Sequence, residues 1–530
     1  MLNIGARVPT SHSFLLMRRH LPLTFAVLKF LSGLLLAGYG TYELHRDEYL
    51  YLDYGRHLAW GYLEVPPLTA LQSWVTLGLG GGFFWVKMWP LLWGSLTVYV
   101  VVLLARRLGG KPWAQALAGV CYLCAAYGRL NLLFQPNSFE VLSFTLSTYL
   151  LVRYAQPDGQ PRHLYWLGVV LGLGVLNKFT TFFFSAAVVA ALLVAAPRTL
   201  RQEAFWRAVG LGLLVASPTL LWQAAHGLPF RHHMALLHES QLVHVSAADF
   251  WRDQLLQCAT ALLVWVPGLG AALLGRPQPA ARVVGLVYVG GLLLLTLLHG
   301  KSYYALGYYP ALFAVGAVWW QARLAGGSWV ARLSQVALLV LPVLLTVRIA
   351  PIIYPVLAPP RMAALGQQPF YQKIGVFRGN DGRTRPLPQD YADMLGWREL
   401  GDKVYQAYQA LPAATRATTL IKCDNYGQAG AINYYNRGRD LPEATSFNGS
   451  YLYWFPAVQP WQQMLLVGEG NPAHLVPYFR ELRQVGEVAS PYALEKGTTI
   501  YLALGPTPAL LALVQQEHAQ GLAAWEGQLK

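Results

Sequence analysis

Charge is scarce in this chain of 530 residues: only 12% are Asp, Glu, Lys or Arg, against about 25% in soluble domains. So low a share excludes an ordinary water-soluble globule. Acids are the scarcer sign, 25 against 40 Lys and Arg, which leaves a formal net charge of +15. An excess of that size could suit nucleic acid, but the basic residues are scattered over short loops between apolar runs, as the positive-inside rule requires. No nucleic-acid partner is expected. Cysteine is nearly absent, with Cys121, Cys124, Cys258 and Cys423 alone. Cys121 and Cys124 have CxxC spacing without a His or further Cys nearby, so neither a disulfide framework nor a zinc site is indicated. The first apolar run, Leu21 to Gly38, lacks a small-residue cleavage site, which implies an uncleaved first span with its N-terminus in the cytoplasm.

What is there is hydrophobic, 55% of the residues, with 13% aromatic. Apolar runs suited to a hydrocarbon core of about 30 Å recur along the chain: Leu21 to Gly38, Phe83 to Ala105, Trp113 to Tyr127, Val141 to Tyr154, Leu164 to Ala196, Ala208 to Ala225, Leu255 to Leu274, Val283 to Leu298, Ala305 to Trp320 and Leu333 to Ile353. Pro66 to Leu79 reads as a short interfacial helix. As one helix, Leu164 to Ala196 would be about 50 Å long, too long for a bilayer. An outward-facing break at Asn177-Lys178 divides it and keeps Arg198, Arg201 and Arg207 on the cytoplasmic side with the other basic turns. The expectation is a polytopic α-helical membrane protein of about 11 spans. Residues 1–353 form its membrane domain. After the Pro-rich linker Pro351 to Pro360, residues 354–530 contain no run of membrane length and form an extracytoplasmic α/β domain. In it, Thr418 to Cys423 reads as a strand, Asp424 to Gly427 as a turn and Gln428 to Tyr435 as a helix start.

The densest charge lies just after the first span, in Tyr42 to His57, and closes on Val65-Pro66-Pro67-Leu68. Ionisable groups at the end of a span must be solvated, paired or functional. Here Asp47 and Glu48 stand among Tyr42, Tyr49, Tyr51, Tyr54, Trp60 and Tyr62, aromatics suited to an interface or a carbohydrate face. Ordinary surface pairing with Arg46 and Arg56 is the plainer alternative; an active-site loop is favoured. A second outer loop runs from Arg129 to Glu140. His232, His233, His238 and His244 crowd a further outer segment, but their spacing fits no zinc pattern, so no metal is assigned.

Arg46-Asp47-Glu48 with Tyr49-Leu50-Tyr51-Leu52-Asp53, Val65-Pro66-Pro67-Leu68, Leu176-Asn177-Lys178, and Gly300-Lys301-Ser302-Tyr303-Tyr304 with Tyr309-Pro310 resemble the membrane-embedded C-type (GT-C) glycosyltransferases. The resemblance is to the bacterial family 39 group, related to protein O-mannosyltransferases and 4-amino-arabinose lipid A transferases. The tail is similar to that of a bacterial branch in Tyr391 to Trp397, Asn425 to Ile432 and Phe447 to Tyr451, to which no chemistry is attached. The resemblance implies an inverting transfer of a sugar from a polyprenyl-phosphate donor to a glycan, lipid or protein acceptor in the cell envelope. The transfer takes place on the outer side of the inner (plasma) membrane, without a cofactor. In it Asp47 is the general base and Glu48 helps to position it; a fixed carboxylate can take the acceptor's hydroxyl proton. Lys178 and Lys301, with Arg46 and Arg56 as weaker candidates, hold the donor phosphate, whose charge grows as it leaves. Relatives carry a basic residue where this chain has Val65, or an Asp where it has Asn137. Glu140, one helical turn later, is the candidate second carboxylate. Two other classes stay open: a secondary transporter, which should show inverted repeats and midplane charges, and a non-catalytic scaffold binding lipid-linked sugars, which would tolerate loss of Asp47.

Overall fold

A computed structural model describes residues 11–240, 242–244, 246–275, 279–379 and 382–527. Every apolar run expected to cross the membrane is helical. Among the described residues five helices are long and apolar enough to span on their own: His20–Ala37, Phe83–Arg107, Glu203–Ala225, Ala280–Leu297 and Trp329–Ile353. The run from Leu164 divides as expected. Helix Pro161–Asn177 stops where Lys178 turns extended (φ −161°), and Thr181–Ala195 starts a new one. The Asn177 amide donates to the Pro136 carbonyl at 2.8 Å, which ties the break to the second outer loop.

Two expectations change. The run Leu255 to Leu274 is not one helix: Ala247–Gln257 and Ala259–Leu274 meet at a 60° bend. There the Thr260 hydroxyl leaves its own helix to bond the Cys124 carbonyl at 2.7 Å. The first outer loop is not irregular either, because residues Arg46–Tyr54 form a helix. Its start is a capping box: the Asp47 N–H donates to the His45 imidazole, and the Glu48 carboxylate accepts from the His45 N–H, so two of the orphan donors of the first turn are satisfied. Pro66 to Leu79 holds the short helix Leu68–Gly78.

The loops expected on one side meet one another. Gln156 donates to the Arg107 carbonyl at 2.7 Å, and Gln321 to the Gly109 carbonyl at 3.3 Å, which joins the basic turns at one end of the bundle. At the other end Asp47 meets Gln135, Lys178 meets Asn137, and the tail packs over them.

The tail carries a five-stranded mixed sheet in the order β2-β1-β3-β5-β4, made of β1 (Thr419–Cys423), β2 (Thr445–Ser446), β3 (Gln463–Glu469), β4 (Phe479–Glu487) and β5 (Thr498–Pro506). β1 is parallel to β2 and β3, with Thr419 opposite Gln463; β5 runs antiparallel to β3 and β4. The helix after β1 starts earlier than expected, at Tyr426, because Asn425 and Gln428 form another capping box. The tail does not bury its core alone. Tyr49, Leu52, Tyr54 and Tyr62 of the first outer loop share one hydrophobic cluster with Trp397, Ile421, Ile432 and Leu465. Small residues permit this contact: Gly427 and Gly430 lie on one helical face against Arg46 and Tyr49, and a Cβ on Gly430 would stand 2.8 Å from the Tyr49 carbonyl carbon.

Candidate active site

The N-terminal turn of helix Arg46–Tyr54 opens into a cavity of about 490 Å³, lined from the first loop by His45, Arg46 and Asp47, from the second by Arg129, Gln135 and Asn137, from the later loop by Lys301 and Tyr303, and from the tail by Asp390, Asp393 and Tyr426. Four stretches distant in sequence therefore build one wall. The Asp47 side chain keeps 30% exposure. Its Oδ1 accepts from the Tyr426 hydroxyl at 2.8 Å and its Oδ2 from the Gln135 amide at 3.2 Å, so the carboxylate is aimed from both sides. Burial, and then the Asp47 charge, push the Tyr426 phenol far above its usual range, so it stays protonated and donates. Arg46 donates to the same hydroxyl at 2.6 Å and lies 4.7 Å above its ring centroid.

Glu48 faces away from the cavity and is fully buried. Both its oxygens lie 2.7 Å from the Lys87 ammonium, and they also accept from the N–H groups of His45 and Phe134 at 2.7 Å. It bolts the first loop to helix Phe83–Arg107 and to the second loop, and so positions Asp47 from behind. Removing one partner of such a pair costs about 3–5 kcal/mol.

Lys178 donates to the Asn137 carbonyl oxygen at 2.8 Å and pairs with Glu140 at 2.9 Å, with its ammonium 4.5 Å from the Tyr304 ring centroid. Glu140 also accepts from the Thr180 hydroxyl. Glu140 is thus the lysine's counter-ion. Burial, then the nearby Lys178 ammonium, pull the Lys301 ammonium below its usual pKa, with Asp47 acting against them. Lys301 is therefore within electrostatic reach of both Lys178 and Asp47. Arg56 is not brought to the cavity: its Nε lies 3.3 Å from Asp53, and it donates to the Asn433 carbonyl at 3.2 Å.

The tail residues at the cavity were not among the candidates, although Asp393 and Tyr426 lie in the Tyr391 to Trp397 and Asn425 to Ile432 motifs. Asp393 stands in an apolar run, between Ala392 and Met394, where a charge has no packing reason; that is the signal it left. Burial raises its carboxyl to about 6, against the pull of His45 and Arg46. For Asp390 burial also opposes charge, but Arg129 at 3.1 Å and His45 outweigh it and hold the carboxyl below its usual range. Of the histidines, His232 and His233 pack against the Trp525 ring, at 4.7 and 6.2 Å between centroids, and the His244 side chain lies outside the described residues. Among the described residues no group of three or more His, Cys, Asp or Glu is arranged to hold a metal ion.

This apolar helical bundle, with a cavity at one end under a mixed-sheet tail, has the fold of the C-type membrane glycosyltransferases. Within that fold class its similarities lie with a protein mannosyltransferase family model and with ArnT. Residues 64–222 match the family described as dolichyl-phosphate-mannose-protein mannosyltransferase. ArnT from Cupriavidus metallidurans bound to undecaprenyl phosphate superposes with a TM-score of 0.61 at 14% identity, over 93% of this chain and 98% of that one. The arabinofuranosyltransferase AftD from Mycobacteria gives 0.51 at 12% identity, over 91% of this chain and 42% of its own. Among curated proteins there is no sequence match.

Proposed function

We propose that the chain is an inverting glycosyltransferase that moves a sugar from a polyprenyl-phosphate donor to an acceptor of the cell envelope. It does so on the outer face of the inner (plasma) membrane, with the N-terminus cytoplasmic and the tail extracytoplasmic. The observation that carries this reading is a single cavity lined by both a partly exposed, doubly held carboxylate, Asp47, and the Lys301 side chain. Asp47 takes the proton of the acceptor hydroxyl as that oxygen attacks the anomeric carbon. Lys301, backed by Lys178, meets the phosphate whose charge grows as the bond to the sugar breaks. The ArnT structure holds undecaprenyl phosphate, and a polyprenyl donor here extends that chemistry to this chain. Arg46 steadies the base through Tyr426, while Arg56 and Glu140 act in support of the loops.

Binding of undecaprenyl phosphate to the full-length protein tests the phosphate site. Lys178→Ala and Lys301→Ala should each weaken binding by about tenfold, and the double variant by less than the product, because both act on one group. Unchanged affinity in both single variants would remove the donor class.

A further inference from the structure

The Asp393 carboxylate does no structural work that repays its burial. The residue is only 4% exposed, and its position is fixed through its backbone. Its carbonyl accepts from the Arg46 N–H at 3.1 Å and from the Trp397 indole at 2.7 Å, and its N–H donates to the Gln389 carbonyl at 2.8 Å. The side chain, by contrast, meets among the described residues only the His45 imidazole, with Oδ2 3.8 Å from Nε2, beyond hydrogen-bond distance. Oδ1 is buried without a hydrogen-bond partner among the described residues. A shielded carboxylate oxygen without a donor is costly. The residue that carries it lines the same cavity as Asp47.

His45 stands between the two acids. Its Nδ1 lies 3.9 Å from Asp47 Oδ2 and 3.2 Å from the Asp47 N–H donor, and its Nε2 faces Asp393. Both acids line the one cavity, so a ligand that carries two hydroxyls can meet both. Asp47 is the group that both Lys301 and Asp393 feel, so Asp393 extends the site on the side of the base.

We propose, resting on the transfer reading above, that Asp393 recognises the acceptor by accepting a hydrogen bond from its second hydroxyl while Asp47 takes the reacting one. The acceptor is then a carbohydrate, as a free glycan or a glycolipid headgroup, and not the lone hydroxyl of a protein Ser or Thr. A hydroxyl suits the position better than an ammonium because Arg46 and Arg129 already stand in the same wall. What the oxygen lacks is a donor, not a counter-charge.

The test uses the full-length protein in cells lacking the gene, complemented with wild type, Asp393→Ala or Asp393→Asn. Mass spectrometry reads the transferred sugar in the glycan, lipid and protein fractions, and each purified protein is titrated with undecaprenyl phosphate. Wild type should restore the sugar on carbohydrate. Asp393→Ala should restore at least ~10-fold less, and Asp393→Asn, whose amide oxygen still accepts, should stay within ~3-fold of wild type. Affinity for undecaprenyl phosphate should change by less than about twofold in both. The inference is overturned if the sugar sits on protein Ser or Thr, if Asp393→Ala restores it fully, or if that variant also loses undecaprenyl phosphate, the mark of a structural role. An Asp393→Asn variant as inactive as Asp393→Ala would point to a cationic ligand group and overturn the hydroxyl assignment. A wild-type gene that restores no sugar, in a protein that does not bind undecaprenyl phosphate, would instead sink the transfer reading itself.

Discussion

Helix Arg46–Tyr54 carries an aspartate near each end, and the two meet opposite environments. Asp47 keeps 30% of its side chain exposed in the cavity, aimed by two neutral donors, Tyr426 and Gln135. Asp53 is buried, with its Oδ2 accepting from Asn433 at 2.7 Å and Tyr451 at 2.6 Å and its Oδ1 3.3 Å from Arg56. Burial raises the Asp53 carboxyl to about 6 in spite of these partners. One aspartate is left open to a substrate, and the other clamps the tail. Exposure to the cavity, more than residue type or local motif, separates chemistry from architecture here.

Asp47→Asn should lower transfer by about 10²–10⁴-fold while the thermal midpoint and undecaprenyl phosphate binding stay near wild type. Asp53→Asn should leave turnover of the folded protein nearly intact, and a comparable loss of rate in both variants would erase the contrast. The pH dependence sharpens it next. The Asp53 carboxyl sits above the ordinary carboxylate value near 4, so the fold favours its protonated form. Its contribution to stability is therefore largest below about pH 4, declines as pH rises to about 6, and is level above that, a change on the order of 2–3 kcal/mol. Asn cannot ionise, so the unfolding midpoint of Asp53→Asn relative to wild type should climb between pH 4 and pH 7. A flat difference would show that Asp53 does not titrate in the fold. Gly430→Val should loosen the tail by about 1–3 kcal/mol, because the new side chain meets the Tyr49 backbone, which cannot give way. Limited proteolysis should then cut between the bundle and the tail. Tyr426→Phe, which removes one donor from Asp47, should have the smallest effect: kcat lower by about 5- to 10-fold, with the tail still protected from protease.

Much of the bundle was legible because membrane helices announce themselves by composition. The break at Asn177-Lys178 was legible too, since a helix of that length could not fit the bilayer. The bend at Cys258 was not, because it depends on a hydroxyl finding a carbonyl on another helix. At the site, the first loop and both lysines stood out as charges beside apolar runs. Tyr426 and Asp393 did not, since nothing local in the tail says that it folds over a loop hundreds of residues earlier. Arg56 resembled a site residue in sequence for the same reason that Asp47 did. Only packing distinguishes a charge that seals an interface from one that faces a cavity.

The bond between Asp47 and Tyr426 joins residues 379 positions apart, and this has a consequence for biosynthesis. The ribosome delivers Asp47 early and its partner late. Until the tail has folded, the carboxylate lacks one of its two donors and the cavity lacks its roof. A nascent or truncated chain therefore carries the loops of the site without a working centre, and the last third of translation acts as a maturation checkpoint written into the order of the polypeptide.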